Sequence, residues 1–204
     1  GLAAGASLAA CRGPAGRAAG PAPAFPELED QRRTVEPISA AERVARRARL
    51  AELLAARGID AYFCEGGATL TYLTGVSWSL SERAFGLALF ADGKHLWITP
   101  RFEAEKAALK VAPDAGGPGG ELVAWEEDPY ARHAFAELAR RGARALALDP
   151  STRLLVRDEA RAAGFADEAL VGGREVLVAL RARKDARELA LLRDRKSTRL
   201  NSSH

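Results

Sequence analysis

The chain has 204 residues, enough for one domain with terminal extensions, and its 48% hydrophobic and 28% charged fractions are ordinary for a globular protein. Its net charge of +3 comes from Arg residues interleaved with Glu and Asp, and only 6% of residues are aromatic, so we expect no nucleic-acid partner. Cys11 and Cys64 form neither a disulfide framework nor a metal-binding motif, and no apolar run is long enough to span a membrane.

The chain begins with a small, apolar, uncharged run that ends at a cysteine. Leu8-Ala9-Ala10-Cys11 resembles a bacterial lipobox, in which the cysteine becomes the lipidated first residue after cleavage. We interpret residues 1–11 as a signal-peptide remnant with lipidation at Cys11; the alternative is an Ala-rich leader with a chance cysteine. Residues 12–38 are rich in Gly, Ala, Pro and Arg, which predicts a disordered tether. The expected location is the periplasm or cell envelope of a bacterium, with membrane contact only through the lipid anchor.

The first predicted helix covers residues 40–57. Ser39 and Glu42 have the spacing of a capping box, and Gly58 provides the C-terminal stop. The apolar stripe of this helix is predicted to consist of Val44, Ala48, Ala51 and Leu54 or Ala55, with the Arg residues on the opposite face. The next six residues, 59–64, form an apolar run that predicts a buried strand.

The rest of the chain alternates between predicted strands and helices. Further strands are predicted at residues 84–91, 94–99, 121–125, 144–148 and 165–171. Further helices are predicted at residues 69–74, 100–110, 129–141, 151–163, 173–183 and 186–194. Asp92-Gly93 predicts a hairpin turn, Pro100 a first helical position, and Asp185 with Glu188 a second capping box. This order indicates an α/β fold, a mixed sheet with helices on both faces.

Three segments of this body resemble the N-terminal domain family of creatinase, aminopeptidase P and prolidase. The first is a helix from Arg49-Leu50 that leads into Gly58-Ile59-Asp60-Ala61-Tyr62-Phe63. The second, Thr71-Tyr72-Leu73-Thr74-Gly75, is similar to the family's Tyr-Leu-Thr/Ser-Gly turn. The third, Leu180-Arg181 through Lys184-Asp185 to Glu188-Leu189 and Leu192-Arg193, is similar to the linker that enters the family's catalytic domain. The resemblance covers about residues 42–194.

The resemblance implies a mixed sheet of about six strands with ribonuclease-H-like topology for residues 39–183. Residues 184–194 would then begin a linker helix into a catalytic domain that this chain lacks. In the family that domain binds two divalent metal ions through two Asp, one His and two Glu. The implied partners are the catalytic domain of the same chain, further copies in a homo-oligomer, and a peptide substrate. Residues 195–204, which contain the chain's only Asn, are predicted to be a non-native tail.

One loop is expected to reach a substrate. In the resembled family, the loop after the Tyr-Leu-Thr-Gly turn extends to the active site of a neighbouring subunit. Here this polar segment, residues 77–82, contains Trp78 and is followed by Arg83. The resemblance implies that Arg83 can pair with a substrate carboxylate and that Trp78 can wall the pocket. The alternatives are an exposed loop Arg and a Trp packed on the domain surface.

Other residues with chemical potential are interpreted as structural. His95 and His133 are isolated, which favours surface or half-buried packing over metal ligation. Asp60 and Asp149 lie at strand ends as nuclease carboxylates can, but a cluster of about four would be needed. Cys64 is predicted to be a buried thiol. We therefore predict no catalytic and no metal-binding residue in this chain.

Two functions are compatible with the sequence. One is the non-catalytic, substrate-gating and oligomerisation domain of an exported Xaa-Pro aminopeptidase- or dipeptidase-like metallohydrolase. The other is a stand-alone, membrane-tethered α/β module that binds a ligand or partner. A metal-ligand set encoded downstream of Asp194 would distinguish the first from the second.

Overall fold

The structure is a computed structural model that describes residues 36–127 and 130–201, with side chains described as far as residue 194. Cys11 and most of the predicted tether lie outside the described residues. The strands are β1 (Ala61–Glu65), β2 (Gly86–Phe90), β3 (His95–Pro100), β4 (Glu121–Trp125), β5 (Leu146–Leu148) and β6 (Leu170–Gly172). The helices are α1 (Ala40–Ala55), α2 (Ala68–Thr74), α3 (Ala104–Val111), α4 (Arg132–Arg140), α5 (Leu154–Ala162), α6 (Arg174–Arg181) and α7 (Ala186–Asn201).

The six strands form one sheet in the order β4-β3-β2-β1-β5-β6. Strand β2 runs antiparallel to both β1 and β3, and the remaining neighbours, β1 with β5, β3 with β4 and β5 with β6, are parallel. The hairpin between β2 and β3 turns at Gly93, whose φ of 86° favours glycine. The predicted mixed sheet of six strands is confirmed.

Helices cover both faces of the sheet, as predicted. Side chains alternate across strand β1, so that Phe63 points into one apolar cluster while Tyr62 and Cys64 point into the other. The Phe63 cluster is closed by α4 and α5, and the opposite cluster by α1, α2, α3 and α6. No helix in the described ranges has the length and apolar character needed to cross a lipid bilayer.

The start of α1 follows the sequence prediction, but its buried face does so only in part. The Ser39 hydroxyl accepts from the Glu42 amide at 3.2 Å, and the Glu42 carboxylate accepts from the Ser39 amide at 2.7 Å, which confirms the capping box. The predicted apolar stripe is confirmed at Ala51 and Leu54, which are buried, but it was wrong at Val44, which is 55% exposed, and at Ala48, which is exposed. The residues that face the core are Arg46, Arg47, Leu50, Ala51, Leu53 and Leu54.

The two buried arginines explain why the buried face of α1 differs from the predicted apolar stripe. Helix α2 has only seven residues, so its C-terminal carbonyl groups lack partners within the helix. Arg46 donates to the Tyr72 carbonyl at 3.1 Å, and Arg47 donates to the Leu73 carbonyl at 2.8 Å. Cations at a helix C-terminus also interact favourably with its dipole. The α1–α2 contact thus needs guanidinium groups where a simple amphipathic pattern places apolar side chains.

Several predicted helices start later than expected, and α4, predicted from residue 129, begins at Arg132. Pro100 was predicted at a first helical position, but it ends β3, where it lies opposite Trp125 of β4, and α3 begins at Ala104 after a 3₁₀ turn. The helix predicted from residue 151 begins at Leu154, because the Asp149 carboxylate accepts from the Ser151 amide at 2.8 Å and closes a turn first. At the other end of the chain, α7 extends past the predicted bound of residue 194, to Asn201.

Candidate functional site

The segment between α2 and β2, residues 75–85, carries both predicted substrate-binding residues. Gly75 ends α2 with a φ of 79°, so the chain leaves the helix in a left-handed conformation that favours glycine. The segment then passes close to the end of β1: a Cβ on Gly66 would lie 2.6 Å from the Trp78 carbonyl oxygen. Glycine at position 66 therefore permits this close approach, and the segment lies directly against the carboxyl end of the central strand.

Trp78 packs into the domain. Its indole is 7% exposed and stacks on Phe85 with ring centroids 3.8 Å apart and planes 15° from parallel. Lys106 lies on α3, and its ammonium group is 4.2 Å from the centroid of the indole, which is a cation–π contact. The indole is thus part of the core cluster beneath the segment. Its suggested role as a wall of a substrate pocket stays a prediction.

Arg83 lies at the rim of a shallow surface groove of about 310 Å³. Its Nε donates to Glu127 at 2.5 Å, its Nη1 donates to Glu82, and its guanidinium lies 4.7 Å from the centroid of the Phe102 ring. The hydrogen bond to Glu127 is the main reason why the pKa of Arg83 is raised above its ordinary value. With its side chain 30% exposed, Arg83 holds a carboxylate at an accessible position.

This geometry is compatible with binding an external carboxylate, because an arginine fork binds any carboxylate in the same way. Glu127 accepts from Nε and Glu82 from Nη1, so a substrate carboxylate that used either donor would have to displace the residue bound there. Phe102 is 64% exposed and would supply an apolar surface beside the bound group. The role of Arg83 in substrate binding stays a prediction.

A buried ion pair fastens this segment to the sheet, and the sequence reading did not identify it. Glu65 ends β1 with its side chain fully buried, and Arg153 precedes α5. Arg153 donates from Nη2 to one Glu65 oxygen at 2.6 Å and from its backbone amide to the other at 3.1 Å. Its Nη1 donates to the Ser81 carbonyl at 2.5 Å. Bonding to Glu65 raises the pKa of Arg153.

Two sequence signals could have identified this pair. Glu65 directly follows the apolar residues of a buried strand, with no turn residue between them. Its carboxylate is therefore expected to be buried, and a buried carboxylate requires a partner. Arg153 is a cation at the N-terminus of a helix, where the helix dipole is unfavourable to positive charge. Each residue is therefore unfavourable alone, and their ion pair resolves both conflicts.

The other chemistry-bearing residues of the body have structural partners. The Tyr62 hydroxyl donates to the buried Asp149 carboxylate at 2.7 Å, and burial raises the pKa values of the Tyr62 hydroxyl and the Cys64 thiol. The Asp60 carboxylate accepts two backbone amides that precede β5. His95 contacts the Gly119 carbonyl at 3.2 Å, and burial lowers its pKa. The predicted buried thiol at Cys64 is confirmed.

The predicted linker helix begins as a packed part of the domain. The second capping box is confirmed, since the Asp185 carboxylate accepts from the Glu188 amide at 2.7 Å and the Glu188 carboxylate accepts from the Asp185 amide at 3.1 Å. Glu188 also lies 3.2 Å from Nη2 of Arg46, and Arg187 pairs with Glu42 at 2.9 Å. The first turn of α7 is thereby held against α1 across a cleft of about 770 Å³.

Among residues 36–127 and 130–194, no group of three or more His, Cys, Asp or Glu side chains is arranged to hold a metal ion. His133 is exposed on α4. Glu65, Arg153 and the Arg83 segment meet at the carboxyl end of β1, so the candidate site is a polar rim around Arg83 that is supported by the Glu65–Arg153 ion pair.

The chain is similar to known proteins in both sequence and fold. Residues 46–183 match the Creatinase/Prolidase N-terminal domain family. Dipeptidase PepE from Mycobacterium ulcerans is 26% identical with a TM-score of 0.63, and the match covers 76% of this chain and 40% of that chain. Recombinant prolidase from Thermococcus sibiricus is 22% identical with a TM-score of 0.57, over 74% of this chain and 39% of that chain. A search of curated proteins found no match.

A third structure is limited to the corresponding domain. The N-terminal domain of the cytoplasmic peptidase PepQ from Mycobacterium tuberculosis H37Rv is 23% identical with a TM-score of 0.50. The match covers 67% of this chain and 98% of that domain. Together with the prolidase, it supports the fold. This chain spans only about two fifths of the two longer structures.

Proposed function

The chain belongs to the creatinase/prolidase N-terminal domain family, and from this membership we propose that it is the substrate-gating and oligomerisation domain of an exported Xaa-Pro aminopeptidase- or dipeptidase-like metallohydrolase. The observation that carries the proposal is the match over residues 46–183, which ends just before α7, the helix predicted to begin the linker. The similar structures of dipeptidase PepE and of prolidase support peptides as the substrate class.

The proposal divides the work between two domains. Two divalent metal ions in a downstream domain would activate water for attack on a peptide bond. The present domain would contribute a rim that binds the substrate's carboxylate through Arg83 and would form the contacts between subunits. The cluster of Glu188 and Arg187 against α1 supports this division, because it fixes the direction in which the chain leaves the domain.

We expect no peptidase activity from this domain alone. Purified residues 40–194 should release no product from Xaa-Pro peptides in the presence of manganese, cobalt or zinc, because a di-metal hydrolase needs its ligands in order to activate water. The measurement is a continuous assay of product release. Metal-dependent turnover that stays with the protein through a further purification step would contradict the proposal.

The proposal is tested directly by reading the coding sequence downstream of Asp194. Codons for two Asp, one His and two Glu within a second domain, followed by metal-dependent cleavage of Xaa-Pro peptides by the full-length product, would support it. A stop codon near Asp194 would favour the stand-alone binding module instead.

Export by lipidation is a separate part of the proposal. The full-length gene product should be found in the membrane fraction of its host, since Leu8-Ala9-Ala10-Cys11 resembles a lipobox. Cys11→Ser should release the protein or leave it unprocessed, as judged by fractionation and by mass spectrometry of the N-terminus. Cys64→Ser is the matched control and should not alter the distribution. Equal partitioning of the Cys11→Ser and unmodified proteins would refute lipidation.

A further inference from the structure

The segment that carries Arg83 is polar, yet its backbone is held at several points. Several of its carbonyl groups make specific contacts. Among them, the carbonyl of Trp78 packs against Gly66, that of Ser81 accepts from Arg153, that of Glu82 accepts from the Tyr130 hydroxyl at 2.9 Å, and that of Ala84 accepts from the Trp125 indole at 2.9 Å. Arg83 lies between the last two of these anchors, so its position is determined by the backbone on both sides.

The anchor at Ser81 differs from the others because it depends on a buried charge. Burying a carboxylate and a guanidinium costs desolvation free energy, and an apolar pair of similar size often stabilises a fold as well or better. Glu65 has no exposed side-chain surface, and its partner Arg153 is 29% exposed. Stability alone therefore does not account for this pair. The pair also has a structural role, because Nη1 of Arg153 donates to the Ser81 carbonyl and so anchors the segment.

Ser81 links the ion pair to Arg83. Its carbonyl accepts from Arg153, and its hydroxyl accepts from the Arg83 backbone amide at 3.2 Å. The guanidinium of Arg153 is planar, so it can bind Glu65 with one edge and Ser81 with another. A continuous series of polar contacts thus runs from the end of β1 to the backbone of Arg83.

We infer that Glu65 and Arg153 are positioning residues for Arg83. They hold the backbone of residues 81–83 so that the Arg83 guanidinium is already placed for a substrate carboxylate. The inference rests on the proposed function, in which Arg83 binds that carboxylate. It adds two residues, distant in sequence from Arg83, whose effect on catalysis is exerted through the segment and not by contact with substrate.

The test uses two variants of the full-length protein. Arg153→Lys keeps a positive charge beside Glu65, but a single ammonium lacks the fork that reaches Glu65 and Ser81 together. The double variant Glu65→Met/Arg153→Met removes the pair without leaving an unpaired buried charge, and so keeps the test valid if Arg153→Lys folds poorly. Arg141→Lys, at the exposed ion pair of Arg141 with Glu121, is the matched control.

The first measurement is hydrogen exchange of the peptide that covers residues 76–85. Both variants should exchange on the order of tenfold faster in this peptide, with the core strands unchanged, because the segment loses its anchor. The control should leave the peptide unchanged. Unaltered exchange in both variants would overturn the inference, whatever the kinetics show.

The second measurement is steady-state kinetics with an Xaa-Pro substrate. Both variants should raise KM on the order of tenfold with kcat changed by less than about twofold, and neither should add to the effect of Arg83→Ala in a combined variant. If Arg83→Ala raises KM but the two variants do not, positioning by Glu65 and Arg153 is refuted. If Arg83→Ala itself has no effect, the proposed function of Arg83 fails, and the positioning role fails with it.

Discussion

Glu65→Ala should lower the free energy of unfolding of this chain by about 3–5 kcal/mol, because it leaves the Arg153 guanidinium partly buried without its partner. It also removes the group that accepts the Arg153 backbone amide at the start of α5. For a domain of this size the loss corresponds to roughly 6–20 °C in melting temperature. Urea denaturation followed by circular dichroism would measure it.

The exposed pair at the opposite end of the sheet is the matched control. Glu121 accepts both Nη atoms of Arg141, at 2.6 and 2.8 Å, but its side chain is 57% exposed. Glu121→Ala should therefore cost less than about 1 kcal/mol. Glu65→Met/Arg153→Met should be more stable than Glu65→Ala, since no buried charge is left unpaired. If Glu65→Ala and Glu121→Ala lower the free energy of unfolding equally, burial does not determine how much the Glu65–Arg153 pair contributes to stability.

The sequence predicts the architecture of this domain well because local patterns and the sheet agree. The capping box at Ser39, the Asp92-Gly93 hairpin and strand β4 depend on residues within a few positions of one another, and the structure confirms each. The errors lie at element boundaries. Proline is favoured at the start of a helix, which is why Pro100 was predicted there. In the structure Pro100 lies opposite Trp125 of β4, 25 positions away in sequence, and this strand pairing prevails over the local preference.

The sequence was least informative where charged residues are buried. Arg46 and Arg47 look like the polar face of an amphipathic helix, yet they bond to carbonyl groups 26 positions away that α2 leaves free. Glu65 and Arg153 are separated by 88 positions. Periodicity reports which residues share a face, but it does not reveal a distant acceptor for a cation. Arg83 was singled out by resemblance alone, and its pairing with Glu127 could not have been inferred from spacing.

The last prediction concerns Arg83 in the full-length protein and rests on the proposed function. Arg83→Ala should lower kcat/KM for an Xaa-Pro substrate on the order of 100-fold if the pair with the substrate carboxylate is desolvated, mostly because the carboxylate is left unpaired. Arg83→Lys should recover only part of the activity, since an ammonium lacks the two parallel donors of a guanidinium. The melting temperature should change by less than about 2 °C, because the side chain is at the surface.

Glu127→Gln provides the complementary test of the same contact. Glu127 accepts from Nε of Arg83 at 2.5 Å, so a substrate carboxylate that binds the Nε edge of the guanidinium must displace it. Removing its charge should weaken this competition and lower KM, whereas Arg83→Ala should raise KM. Opposite changes in KM for the two variants would show that Glu127 and the substrate compete for one guanidinium. Unchanged kcat/KM in Arg83→Ala would make Arg83 a surface charge, and a large loss of melting temperature would make it a structural residue that holds Glu127 against the segment.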